Sequence, residues 1–229
     1  MDMAEYHETH PLPFIVTHWI NLVCMICLIL SGFYIHFPAF DGFMGVARGI
    51  HVLCGIVITI NIIVRIVMTF IVKSAPGNGT HETKADIYSW LPQKDNRHQL
   101  TAWIGYYLFL RKEHPLGGKY GVPQKISYVL IPFLILFMAY TGFALWEPTS
   151  QLPFFLAGTE AFGGMMSMRI IHYFMMFVFI LFMFIHVYLS FAEGGKGMMK
   201  MMFFNKEHGG LTYDMKTHNV SGEDERNLE

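Results

Sequence analysis

The chain has 229 residues, 53% of them hydrophobic and 16% aromatic, with only 14% charged, where an ordinary soluble domain carries about 25% charged residues. That balance argues against a soluble enzyme. The net charge of −1, without a basic face, argues against nucleic acid as a partner. The composition is that of a membrane protein.

In chain order, Met1–Leu12 is acidic and lacks the basic n-region of a signal peptide, so the first span is expected to be retained. Four stretches approach the roughly 20 apolar residues that cross a bilayer, at about Pro13–Phe37, Gly49–Val72, Ile126–Trp146 and Met168–Ala192. They predict an all-α fold, an integral membrane four-helix bundle over residues 1–200, followed by a cytoplasmic tail over 201–229.

The first span stops at Pro38 and Gly42. The middle loop opens with Ser74-Ala75-Pro76-Gly77-Asn78-Gly79 and then carries the aromatic-rich stretch Trp103–Lys112. That stretch reads as an amphipathic helix at the inner membrane face. Glu147–Ser167, with Pro148, Pro153, Gly158, Gly163 and Gly164, reads as a turn-rich outer loop, and the chain turns polar from Gly194 onward.

Lys and Arg set the expected orientation. Lys73, Lys84, Lys94, Arg97, Arg111, Lys112, Lys119 and Lys125 fall in the middle loop, and Lys196, Lys200, Lys206, Lys216 and Arg226 follow the fourth span. The other two connections hold only Arg48 and Arg169. By the positive-inside rule the middle loop and both termini are cytoplasmic.

Cys24, Cys27 and Cys54 all lie within spans. The C-x-x-C is followed by Leu28, not the His that c-type haem attachment needs, so these thiols read as packing.

Histidines are costly within a membrane and mark functional sites there. His172 and His186 are fourteen residues apart in a stretch without charge from Ile170 to Ala192. Fourteen steps of 100° fall about 40° short of four turns, so both rings share a helix face, about 21 Å apart along the axis. Depth then matches His51 with His172 on the outer side and His18 with His186 on the inner side. Two facing imidazole pairs between helices are what two bis-histidine b-type haems require.

Gly55 lies one turn beyond His51, and Gly32 lies fourteen residues beyond His18 on the same face. Both could relieve the bulk around a macrocycle, or serve as small-residue helix contacts. Arg65, fourteen residues beyond His51, could meet a haem propionate at the inner depth or snorkel to the membrane edge. His36, beside Pro38, could compete with His51 for the outer site or stand exposed at the interface. Other chemistry is poorly supported. No zinc motif or phosphate-cradling loop occurs, and a proton-coupled transporter would want Asp or Glu in spans that have none.

Thr17-His18-Trp19, Ser31-Gly32-Phe33-Tyr34-Ile35, Tyr106-Tyr107-Leu108-Phe109-Leu110, Thr141-Gly142-Phe143-Ala144-Leu145 and His186-Val187-Tyr188 resemble the b-type cytochrome subunit of membrane-bound nickel–iron hydrogenases. The wider family includes the gamma subunit of respiratory formate dehydrogenases, which Gly118-Lys119-Tyr120 and Gln124-Lys125 resemble more. The resemblance covers most of Pro13–Lys200.

It implies a di-haem (protohaem IX) cytochrome b of a prokaryotic cytoplasmic membrane, not catalytic alone. Such a chain takes electrons from an iron–sulfur subunit, attached to a catalytic hydrogenase or formate dehydrogenase subunit, and passes them to quinone near the inner haem. His18, His51, His172 and His186 match its ligand positions. Its quinone site corresponds to Tyr120, Gln124 and Lys125 with His186, and Gly121 departs from the asparagine of the formate dehydrogenase branch. Asn21 and His114 read as ordinary interfacial residues beside that site. A haem-free membrane anchor that only docks a catalytic partner is the alternative from another class.

Overall fold

A computed structural model describes residues 3–6, 11–77, 80–90, 100–111, 122–204, 211–214 and 220–221. Strand β1 is Met3–Tyr6, and helices α1 and α2 are Leu12–His36 and Met44–Ile71. Strands β2 (Lys73–Gly77) and β3 (Thr80–Ala85) follow, then α3 (Ile87–Trp90), α4 (Leu100–Tyr107) and α5 (Val122–Leu145). After α6 (Glu147–Ser150) and α7 (Pro153–Ala161) come α8 (Met165–Phe204), β4 (Leu211–Asp214) and β5 (Val220–Ser221).

Four helical stretches are long and apolar enough to cross a membrane: Leu12–His36, Met44–Ile71, Lys125–Leu145 and Met165–Phe191. Only 11 to 28% of each apolar window is buried within the protein. A water-soluble chain would hide such faces, whereas these turn Leu30, Phe174 and Phe184 outward, as helices wetted by lipid do. Within lipid a helix satisfies its own backbone, so the apolar runs fold this way without help from neighbours. The fold is the expected all-α membrane protein.

The differences lie outside the spans. Helix α8 continues through Gly194 and Gly195 to Phe204, beyond the expected end of the span at Ala192. Two glycines cost a helix only about 1 kcal/mol each, and the methionine-rich stretch that follows favours helix. The connection between the third and fourth spans is not only turns. Pro148 is the second residue of α6 and Pro153 the first of α7, within the opening turn where a missing N–H costs nothing. The middle loop opens with the antiparallel pair β2–β3.

The expected amphipathic helix starts earlier and is shorter, ending at Tyr107. There Leu110 N–H donates to the Gly105 carbonyl and Phe109 N–H to that of Tyr106, a Schellman-type stop. Phe109 occupies its left-handed position at φ 60°, where glycine is usual.

The chain forms two compact units. Unit one comprises Met1–Ile15, Arg65–Ile131 and Ser190–Glu229, and unit two Val16–Val64 and Pro132–Leu189. Unit one contains the β2–β3 pair and a second small antiparallel sheet in the order β1-β4-β5, with Met3 opposite Asp214 and Thr212 opposite Ser221. Unit two holds membrane-crossing portions of all four long helices, joined at one end by the 37–43 turn and by α6 and α7.

Candidate functional site

The four intramembrane histidines meet in unit two, in the expected pairs. His51 of α2 faces His172 of α8 with ring centres 6.1 Å apart and planes at 66°. His18 of α1 faces His186 of α8 at 6.0 Å and 48°. Two metal–imidazole bonds of about 2.0–2.1 Å, plus about 1 Å from each nitrogen to its ring centre, come to roughly 6 Å. Each pair is therefore spaced to hold one metal between its rings. Among the described residues no group of three or more His, Cys, Asp or Glu could hold a metal ion. A metal bound by one of these pairs must bring its remaining ligands with it, as the iron of a porphyrin does.

The pair nearer α6 and α7 is held from behind in the same way on both sides. Ser31 Oγ lies 2.9 Å from His51 Nδ1, and Thr141 Oγ1 lies 2.8 Å from His172 Nδ1. Each hydroxyl is followed by a glycine that lets the ring approach. A Cβ on Gly32 would stand 3.4 Å from His51 Cε1, and one on Gly142 would stand 3.2 Å from His172 Cε1. Ser31-Gly32-Phe33 on α1 and Thr141-Gly142-Phe143 on α5 thus do one job twice. Ser31, Thr141 and Gly142 were not singled out as site residues from the sequence. The repeated hydroxyl-Gly-Phe tripeptide is the signal that could have found them.

Gly32 therefore lies against a candidate ligand. Gly55 has nothing within 4 Å of where its Cβ would be, so it packs closely on no described neighbour.

At the other pair, His18 meets the edge of Trp19 at 5.7 Å, and Phe182 stacks on His186 at 5.6 Å. One face of α1 is clasped to α2 nearby, where Asn61 Nδ2 donates to the Thr17 carbonyl and to Asn21 Oδ1, both at 2.7 Å. Asn21 is thus an interhelical partner inside the span. His36 is exposed, and its ring stacks on Tyr173 at 3.9 Å and 16°, next in sequence to His172. The three cysteines are free thiols.

In unit one, Arg65 has a protein carboxylate for a partner. Its guanidinium donates to Asp86 Oδ2 at 3.0 Å and to Thr69 Oγ1 at 2.8 Å. It also lies 3.7 Å from the centre of the Phe14 ring, close enough for a cation–π contact. Trp90 Nε1 donates to the same Asp86 oxygen at 3.1 Å. Lys125 is buried and engaged by neighbours. Gln124 lies in α5, and Tyr120, Gly121 and His114 fall outside the described residues.

A family model described as prokaryotic cytochrome b561 matches residues 9–205. The chain is 26% identical over 204 residues to a probable Ni/Fe-hydrogenase B-type cytochrome subunit of Rhizobium leguminosarum bv. viciae, covering 79% of each chain. It is 28% identical over 163 residues to a probable Ni/Fe-hydrogenase 1 B-type cytochrome subunit of Escherichia coli K12, covering 67% of this chain and 66% of the relative. A probable Ni/Fe-hydrogenase B-type cytochrome subunit of Bradyrhizobium diazoefficiens is 27% identical over 144 residues, 59% of this chain and 56% of its own.

Proposed function

Because the chain belongs to the prokaryotic cytochrome b561 family, we propose that it is a di-haem electron-transfer subunit that delivers electrons from a nickel–iron hydrogenase to membrane quinone. The observation that carries this reading is the pair of imidazole pairs in one unit, at 6.0 and 6.1 Å. His51 and His172 would hold one b-type haem, and His18 and His186 the other. Gly32 lets the His51 ring approach α1, and Gly55 leaves room one turn away. Bound there, two haems supply one-electron carriers at two depths of the membrane.

The Rhizobium and Escherichia relatives, both probable Ni/Fe-hydrogenase cytochrome subunits, favour a hydrogenase as partner over formate dehydrogenase, with an iron–sulfur subunit as the electron donor. The excess of Lys and Arg in the middle loop and tail favours cytoplasmic termini, with the His51–His172 pair towards the outside. Electrons entering there and leaving to quinone inside cross part of the membrane field, worth about 2.3 kcal/mol per charge per 100 mV. Tyr120, Gln124 and Lys125, with His186, are the candidate quinone contacts. For Arg65, the Asp86 contact makes a role in anchoring the loop after α2 the better reading than a propionate partner.

The test uses the complete membrane complex. His186→Ala should abolish hydrogen-driven quinone reduction while hydrogen oxidation with a soluble dye continues. Quinone reduction at the wild-type rate would favour a passive, haem-free anchor.

A further inference from the structure

The hydroxyls behind His51 and His172 are more than packing. Ser31 Oγ lies 2.6 Å from the Cys27 carbonyl and 3.2 Å from that of Leu28. Thr141 Oγ1 lies 2.8 Å from the Met138 carbonyl. A carbonyl can only accept, and a hydroxyl has one hydrogen to give. With that hydrogen committed to the helix's own backbone, each oxygen is left to accept from the imidazole, so Nδ1 must carry the proton. Both hydroxyls are buried, Thr141 completely, so no solvent competes for these bonds.

We propose that Ser31 and Thr141 are positioning residues that fix His51 and His172 in the tautomer with Nδ1 protonated and Nε2 free for iron, and that they hold down the reduction potential of that one haem. The second half rests on the di-haem reading above. An N–H donated to an acceptor makes an imidazole a stronger base, and a stronger donor favours ferric over ferrous iron. An acceptor that is itself donating to a carbonyl is strengthened further by cooperativity. The two residues sit on different helices, α1 and α5, and serve ligands on two others, so their effects should add.

The full chain is titrated optically against potential as wild type, Ser31→Ala, Thr141→Val and Thr141→Ser. The haem in question is identified as the one lost in His172→Ala. In Ser31→Ala and in Thr141→Val its ratio of reduced to oxidised form at a fixed potential should rise about tenfold, which for one electron is 59 mV. The other haem should not move, and Thr141→Ser, which keeps the hydroxyl, should titrate as wild type. An unmoved potential in both hydroxyl-deleting variants, or a Thr141→Ser shift as large as that of Thr141→Val, overturns the effect on potential.

Nitrogen-15 spectra of the haem-free chain read the tautomer without any haem. His51 and His172 should carry the proton on Nδ1 in the wild type and shift towards Nε2–H in the deletions. A wild type with Nε2–H at both positions overturns the tautomer assignment whatever the haems do. A wild type that shows Nδ1–H yet binds no haem upholds the tautomer assignment and overturns the di-haem reading, and with it the effect on potential.

Discussion

Arg65 donates to Asp86 at 3.0 Å, and the carboxylate it meets is wholly buried while the guanidinium is 11% exposed. Removing one partner from a buried pair strands the other charge and costs about 3–5 kcal/mol. Asp86→Asn should therefore lower stability by about 3 kcal/mol, measured as thermal unfolding in detergent. The double variant Arg65→Met with Asp86→Leu should recover most of that loss, because no charge is left uncompensated. Equal loss in the single and double variants would mean that the pair is not what holds this part of unit one.

Asn61 makes two bonds where Asn21 makes one of them. Interhelical hydrogen bonds in membranes are worth about 0.6 kcal/mol on average and up to about 1.7. Asn61→Leu, which also strands Asn21, should cost about 1–2 kcal/mol, and Asn21→Leu less, since Asn61 keeps the Thr17 carbonyl. Chemical or thermal unfolding of the two variants side by side gives the order, and the reverse order would contradict the clasp.

The histidine pairing was legible in the sequence because it follows from helical periodicity together with the order and ends of the spans. Fourteen residues between His172 and His186, and span ends marked by Pro38 and by the polar middle loop, give depth and face together. The partner of Arg65 was not legible. Asp86 lies 21 residues downstream beyond the β2–β3 pair, and no periodicity links a span to its following loop. Ser31 and Thr141 were in plain view, yet a hydroxyl in a membrane helix ordinarily bonds back to its own carbonyls. Only the second neighbour, an imidazole on another helix, separates these two from the ordinary case. The start of α7 was missed because proline was read as a breaker when it also opens helices.

Three glycines should behave differently. Gly142→Ala brings a methyl to 3.2 Å from the His172 ring and Gly32→Ala to 3.4 Å from that of His51. The first should lower occupancy at that pair most, the second less, both read as haem per chain. Gly55→Leu enters open space, so stability should stay within about 0.5 kcal/mol of wild type. If Gly55 makes room for the macrocycle, the same variant loses one haem. Full haem content in Gly55→Leu would contradict a role in making room for the macrocycle.

Gln124 lies in α5, one residue before the third span, and is an expected quinone contact. Gln124→Ala should slow hydrogen-driven quinone reduction by about tenfold, the effect of losing one hydrogen bond worth about 1.4 kcal/mol, while both haems stay bound and chemically reducible. Loss of haem in this variant, or an unchanged rate, would contradict the assignment.

The most direct measurement is the haem content of the purified full chain by pyridine haemochrome spectrum, for the wild type, His172→Ala and His186→Ala. Two protohaems per chain, with one lost in each variant, is the predicted result. A well-folded wild type without haem would contradict the account.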